Sequence, residues 1–379
     1  MELRFKLLFI LFITVIFFAD LLSVQKKSIV RVLLQTMDSG AHWKLESSHG
    51  FVVWDNANPD DRMHSNAKCC SFYYKKSALF CNKKKVIPEV LCIAPEEGHI
   101  TFNGKRYQGT FLIINTGKKV LLINCLDIED YVFSVLKTES WPGWPLEINK
   151  VFAIASRSYV MSMAQQAKKS KQLYDVKNSN VHQTYTGVHE CKTIKKAVEQ
   201  TKGVFLAYKK RPIIAMFDSC CGGIIPAHMA DVNFVDAPYL ARTKACHYCK
   251  SCSLYTWKHA YNIRHLEDHV SKIHGRIKRL RNFTITQRDK AGIVKEVHVN
   301  NGTKPLILTG QQVYSLLKEV KSFSFKIYRK GDDIFFEGNG LGHHLGLCQW
   351  GARQMVRDGF DYKQILQFYY PQTTFMKLH

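Results

Sequence analysis

Residues 126–159 read LDIEDYVFSVLKTESWPGWPLEINKVFAIASRSY, and the rest of the chain is arranged around them. The first third predicts a helix that gives out at Glu139. The segment Ser140-Trp141-Pro142-Gly143-Trp144-Pro145 cannot continue it, because Pro142 has no N–H and restricts the residue before it. Pro145 suits the first turn of a second helix. That helix carries Ile148, Val151, Ala155 and Tyr159 at helical spacing, so one of its faces is expected to be core. Glu139 is then a lone carboxylate on a rigid corner beside Trp141 and Trp144. Such a setting removes water from a carboxyl group and raises its pKa.

With 379 residues and 46% hydrophobic content the chain can bury a substantial core, in one large domain or two. Its 54 Lys and Arg against 31 Asp and Glu give a net charge of +23, which points to an anionic partner. Nucleic acid, anionic lipid and cell-wall polymer all fit that balance. Residues 1–24 combine Arg4 and Lys6 with an apolar run over 7–19, the pattern of an export signal or an uncleaved anchor. An exported protein is expected, in the periplasm or on the outer face of the inner membrane, touching the membrane through this segment.

Residues 28–36 and 49–54 alternate as strands, and Asn103-Gly104 and Thr116-Gly117-Lys118 mark two hairpins between 99 and 125. Helices are expected over 192–201 and 310–318, strands over 204–208, 212–217 and 323–336, and a hairpin over 282–299. These elements predict an α+β fold of mixed helices and β-hairpins around a central cleft. Residues 25–125 form its β-rich part and 126–379 the region that carries Glu139, with a Cys-rich insertion at 246–252.

Cys246-His247-Tyr248-Cys249-Lys250-Ser251-Cys252 is the strongest metal-type pattern. A C-x2-C pair lets two thiolates hold one tetrahedral ion and Cys252 offers a third. Cys221 or Cys220 is the candidate fourth ligand, and His247 the rival. Zinc on Cys221, Cys246, Cys249 and Cys252 competes with disulfides, which an oxidising compartment would favour. A basic stretch beside a Cys knuckle is also what a small nucleic-acid-binding module looks like, but the export signal argues against that reading, so no nucleic-acid partner is expected. Near the C-terminus, 338–352 read GNGLGHHLGLCQWGA without the G-K-[ST] ending of a nucleotide site.

Two of these motifs together resemble the sporulation stage II protein D family of peptidoglycan lytic transglycosylases. The first matches through Leu126, Glu129-Asp130-Tyr131, Glu139, Trp144-Pro145-Leu146-Glu147, Lys150, Ala155, Arg157 and Tyr159. The second is similar to a G-x-G-x-GHGVGMSQWGA pattern, through Gly342-His343 and Gln349-Trp350-Gly351-Ala352. Between them, Gln183, Tyr185 and Gly187 match a Gln-x-Tyr-x-Gly loop, Ser219 precedes a Gly-Gly turn, and 257–273 is similar to the family's Trp-containing helix, which implies a helix there. The departures are Phe152 for Gln, Ser134 for Gly, His344 for Gly, Cys348 for Ser and Tyr314 for Arg.

The resemblance places the catalytic acid at Glu139. Trp141 and Trp144 are expected to stack on sugar faces, with Arg157, Tyr159, His182, Ser219, His343 and Gln349 lining the cleft, and the resemblance implies zinc near it, as in some relatives. It implies cleavage between N-acetylmuramic acid and N-acetylglucosamine in peptide-stripped glycan strands, leaving 1,6-anhydro ends. Expected partners are those strands, an amidase that strips them, and division or wall-remodelling proteins. The alternative is a non-catalytic peptidoglycan-binding or cell-division scaffold of the same fold.

Overall fold

The computed structural model describes residues 28–378 apart from 142, 276–278 and 303–304. The expected signal or anchor at 1–24 lies outside the described residues. Among the described residues no helix is long and apolar enough to cross a membrane. The fold is α+β, with seven α-helices and six sheets, the largest of seven strands, among the described residues.

The first helix, α1 (Ile128–Glu139), begins where Asp127 accepts a hydrogen bond from Glu129 N. Glu129 and Asp130 in its first turn and Lys137 in its last complement the helix dipole. The long α2 (Leu146–Lys169) is buried nearly all round over its first half. Ala153, Ala155, Ser156 and Ser158 keep that half slim, so neighbours approach closely. Then come α3 (Lys192–Gln200), α4 (Ile263–His274), α5 (Gly310–Leu316), α6 (Gln349–Arg357) and α7 (Tyr362–Tyr369).

Strand Ile29–Met37 lies between Val120–Asp127, antiparallel, and Val176–Lys177, parallel. That sheet continues outward through Thr110–Asn115, Val90–Pro95, Phe51–Asp55 and Asn58–Ser65. A second sheet, built on His42–Glu46 and Cys69–Lys75, feeds the same hydrophobic core. That core runs from Val30 through Leu122, Val135 and Ile154 to Tyr370, so it continues without a break across residue 125. Both hairpins expected between 99 and 125 are present, with Gly104 and Gly117 at positive φ in their turns.

A smaller core, around Leu266, Phe283, Val297, Val313, Ile334 and Phe336, gathers α4, α5 and two three-stranded sheets. Here the expected helix over 257–273 is corrected. Thr256–Asn262 is a strand, antiparallel to Asp333–Asn339, and only from Ile263 is the chain helical. Trp257, His259 and Tyr261 alternate with the exposed Thr256, Lys258 and Ala260, the period of a half-buried strand. Asn262 then caps α4, accepting from Arg264 N at 3.1 Å. Tyr314 packs on Phe323 in this module, ring centroids 4.9 Å apart.

Candidate active site

Glu139 is the last residue of α1, where the unpaired carbonyls of a helix end already disfavour negative charge. The turn after it is held by a buried clamp. Ser140 Oγ meets Asn149 Oδ1 at 2.7 Å, and Asn149 Nδ2 donates to Trp144 O at 3.0 Å and Pro145 O at 3.2 Å. The corner read from sequence is therefore rigid. Opposite it, the loop over 174–187 docks on α1 through both sides of one residue. Thr184 N donates to Glu139 Oε1 at 2.6 Å, while Thr138 Oγ1 donates to Thr184 O at 2.6 Å. Ser134 Oγ donates to Gly187 O at 2.6 Å. Gly187 has φ +82, and a Cβ there would lie 2.1 Å from Arg106 O, so only glycine fits.

Burial raises the Glu139 carboxyl above its ordinary value of 4.5, and the contacts from Thr184 pull the other way. Among the described residues no cation pairs with it and no neighbouring carboxylate contributes to the shift. Tyr159 is near enough to feel it: its hydroxyl is pushed up to about 12, first by burial and then by Glu139. His182 stands edge-on to Tyr159, centroids 6.4 Å apart, with its pKa lowered by burial and by Lys177. Gln349, at the start of α6, donates Nε2 to the Glu139 backbone carbonyl at 2.9 Å. The structure thus gathers Glu139, Tyr159, His182, Thr184 and Gln349 into one site.

Other expected contacts lie elsewhere. Trp141 is 60% exposed and stacks on Trp144, centroids 6.5 Å apart. Trp144 is 8% exposed and wedged against Phe152 and Trp350, so it is a core ring with no face for a sugar. Arg157 is fully buried and grips Glu129 with two prongs, at 2.9 and 2.6 Å, while donating to Val204 O at 2.7 Å. It braces α2 against α1 and reaches no open surface. Ser219 lies beside the cysteine cluster, its carbonyl accepting from Trp350 N. His343 faces a cavity of about 600 Å³ walled by residues such as Met229, Asp289 and Gly310, apart from the residues around Glu139.

The cysteines also regroup. Sγ atoms of Cys221, Cys246, Cys249 and Cys348 all lie within 4.8 Å of one another, and all four are buried. Cys252 is not among them; its sulfur accepts from Leu254 N at 3.3 Å. The place expected for Cys252 is taken by Cys348, at the N-cap of α6. All twelve cysteines are free thiols in the structure, so none of the alternative disulfides is formed in it.

Two functional residues escaped sequence reasoning. Thr184 meets Glu139 through its backbone N–H and its side chain, and its place in the Gln-x-Tyr-x-Gly loop is the available clue. Cys348 was visible only as a cysteine standing where the family pattern has serine.

With this geometry in view, two stretches of the chain match family models. Residues 116–208 match the family described as Stage II sporulation protein, which covers α1, its corner, α2 and the docking loop. Residues 239–346, which contain the smaller core, match a domain of unknown function (DUF8618). An uncharacterised protein of Brachyspira hyodysenteriae is 30% identical over 77% of this chain and 78% of its own length. Stage II sporulation protein D of Bacillus subtilis is 25% identical over 65% of this chain and 74% of its own. The amidase enhancer of Bacillus subtilis is 25% identical over 75% of this chain, which spans 46% of that relative. The chain belongs to the stage II sporulation protein D (SpoIID) family.

Proposed function

We propose that the protein is a cell-wall lytic transglycosylase acting on peptidoglycan glycan strands, with Glu139 as its acid and base. The observation that carries this is the setting of Glu139: a carboxyl group raised by burial, fixed at a helix end and, among the described residues, paired with no cation and with no second carboxylate contributing to its shift. Hydrolytic glycosidases ordinarily need two carboxyl groups, one of them to activate water or attack the sugar. A single one suffices when the attacking group is a hydroxyl of the sugar itself.

Protonated Glu139 donates to the oxygen joining N-acetylmuramic acid to N-acetylglucosamine as that bond breaks. The resulting carboxylate takes the proton of the muramoyl C6 hydroxyl as its oxygen bonds to C1, closing a 1,6-anhydro ring. Proton and electron pairs balance without water. The Thr184 N–H holds Glu139 Oε1 in place. Gln349 fixes the backbone of the same residue. The exposed indole of Trp141 offers a flat face for a sugar ring. The net charge of +23 suits an anionic polymer.

Localisation follows from the substrate: a protein exported by residues 1–24 and working outside the cytoplasmic membrane. The relative named amidase enhancer supports a partnership with an amidase that strips stem peptides first. The test runs turnover and pull-down in parallel on peptide-free glycan strands. Wild type should bind and cleave, and Glu139→Gln should bind without cleaving. Binding without products from wild type would mark a wall-binding scaffold instead.

A further inference from the structure

We propose that Cys221, Cys246, Cys249 and Cys348 hold a structural zinc ion, and that this ion clamps the start of α6 to the corner carrying Glu139. The four thiols come from three separate places in the chain: the turn before Gly222-Gly223, the 246–249 knuckle and the α6 N-cap. Sulfurs 3.7 Å apart for Cys221–Cys249 and 3.8 Å for Cys246–Cys249 are far beyond the ~2.05 Å of a disulfide. They match the edge of a tetrahedron with metal–sulfur bonds of about 2.3 Å, which is close to 3.8 Å.

The surroundings are built for thiolates. Cys348 Sγ accepts from Cys221 N and Gly351 N, both at 3.3 Å. Tyr369 Oη stands 3.2 Å from Cys246 Sγ. The buried Arg242 guanidinium lies over the Tyr369 ring, 5.6 Å from its centroid, next to a site whose four thiolates outweigh a divalent cation. Gly351 admits no side chain: a Cβ there would come within 2.7 Å of Cys246 Sγ and 2.2 Å of Tyr369 Oη. Four protein ligands leave no open position, so the ion is structural and takes no part in proton transfer.

Its reach into the active site is short. Cys348 is followed directly by Gln349, which holds the Glu139 carbonyl, and by Trp350, which packs against Trp144. Removing the ion frees the α6 N-cap, and with it the residues that brace the corner. The importance of Glu139 rests on the reading above, but the metal site and its coupling are measured without turnover.

The test is metal analysis and X-ray absorption on the full chain purified without chelator. One equivalent of zinc per chain, with four sulfur neighbours at about 2.3 Å, is expected. Cys348→Ser should lose the zinc and Cys252→Ser should keep it. Should Cys348→Ser fail to fold, wild type stripped with a strong chelator serves the same purpose. Its amide hydrogen exchange should rise over 349–357 and over 139–145, and stay unchanged in strand Ile29–Met37. Metal-free wild type, iron in place of zinc, a nitrogen or oxygen ligand in the shell, or loss of zinc from Cys252→Ser would overturn the site. Exchange rising only around 246–252 would overturn the clamp.

Discussion

Replacing Arg157 separates bracing from substrate contact more sharply than any other change. Its guanidinium is buried, forked onto Glu129 at 2.9 and 2.6 Å, and bonded to Val204 O at 2.7 Å. In Arg157→Ala, Glu129 retains the Gly203 N–H at 3.0 Å, but its side chain, only 15% exposed, is left charged without its counter-ion. Stranding one member of a buried pair costs about 3–5 kcal/mol. Leaving the Val204 carbonyl unsatisfied adds about 1–3 kcal/mol. The sum, roughly 4–8 kcal/mol, rivals the whole stability of an ordinary domain. Urea unfolding followed by circular dichroism and tryptophan fluorescence should show a large drop in midpoint, with Arg157→Lys in between because an ammonium cannot reproduce the fork. Adding Glu129→Gln to Arg157→Met should recover about 2–3 kcal/mol, since the stranded charge is gone and the amide oxygen still accepts from Gly203. An Arg157→Ala protein with an unchanged midpoint but impaired glycan cleavage would put the guanidinium in the site and refute this.

The remaining expectations concern the corner itself. Turnover should fall as pH rises through the raised Glu139 value, and Glu139→Gln should lower it by about 10²–10⁴-fold with the fold intact. A carboxyl whose folded pKa is raised burdens the native state when ionised. Relative to wild type, Glu139→Gln should therefore be stabilised at pH 7, and the gap should shrink as pH falls through the raised Glu139 value and vanish below 4.5; thermal unfolding across pH reads it. The two indoles should behave oppositely: Trp144→Ala costs about 3–5 kcal/mol in urea unfolding, whereas Trp141→Ala stays within about 0.5 kcal/mol and weakens glycan binding in pull-down.

What the sequence disclosed follows from which interactions are local. The helix–turn–helix around Glu139 was legible because prolines, apolar spacing and the corner all lie within one short stretch. The hairpins announced themselves through Asn103-Gly104 and Thr116-Gly117. The strand over Thr256–Asn262 reads as helix from the family resemblance and from Lys and His residues that look like a solvated helix face, while the alternation of Trp257, His259 and Tyr261 marks it as a strand. Trp144 looked like a sugar platform because nothing local shows that Phe152 and Trp350 close over it. Arg157 looked free for ligand because its partner, Glu129, lies on another helix. Cys348 could not be paired with Cys246 by spacing, since only the folded chain brings the α6 N-cap to the knuckle.

The most direct measurement is mass spectrometry of the chain ends that purified protein releases from peptide-free glycan strands. Wild type should leave 1,6-anhydro-muramoyl ends, and Glu139→Gln should release none. Reducing ends from wild type, or anhydro ends at the wild-type rate from Glu139→Gln, would contradict a single carboxyl group passing one proton out and taking one back.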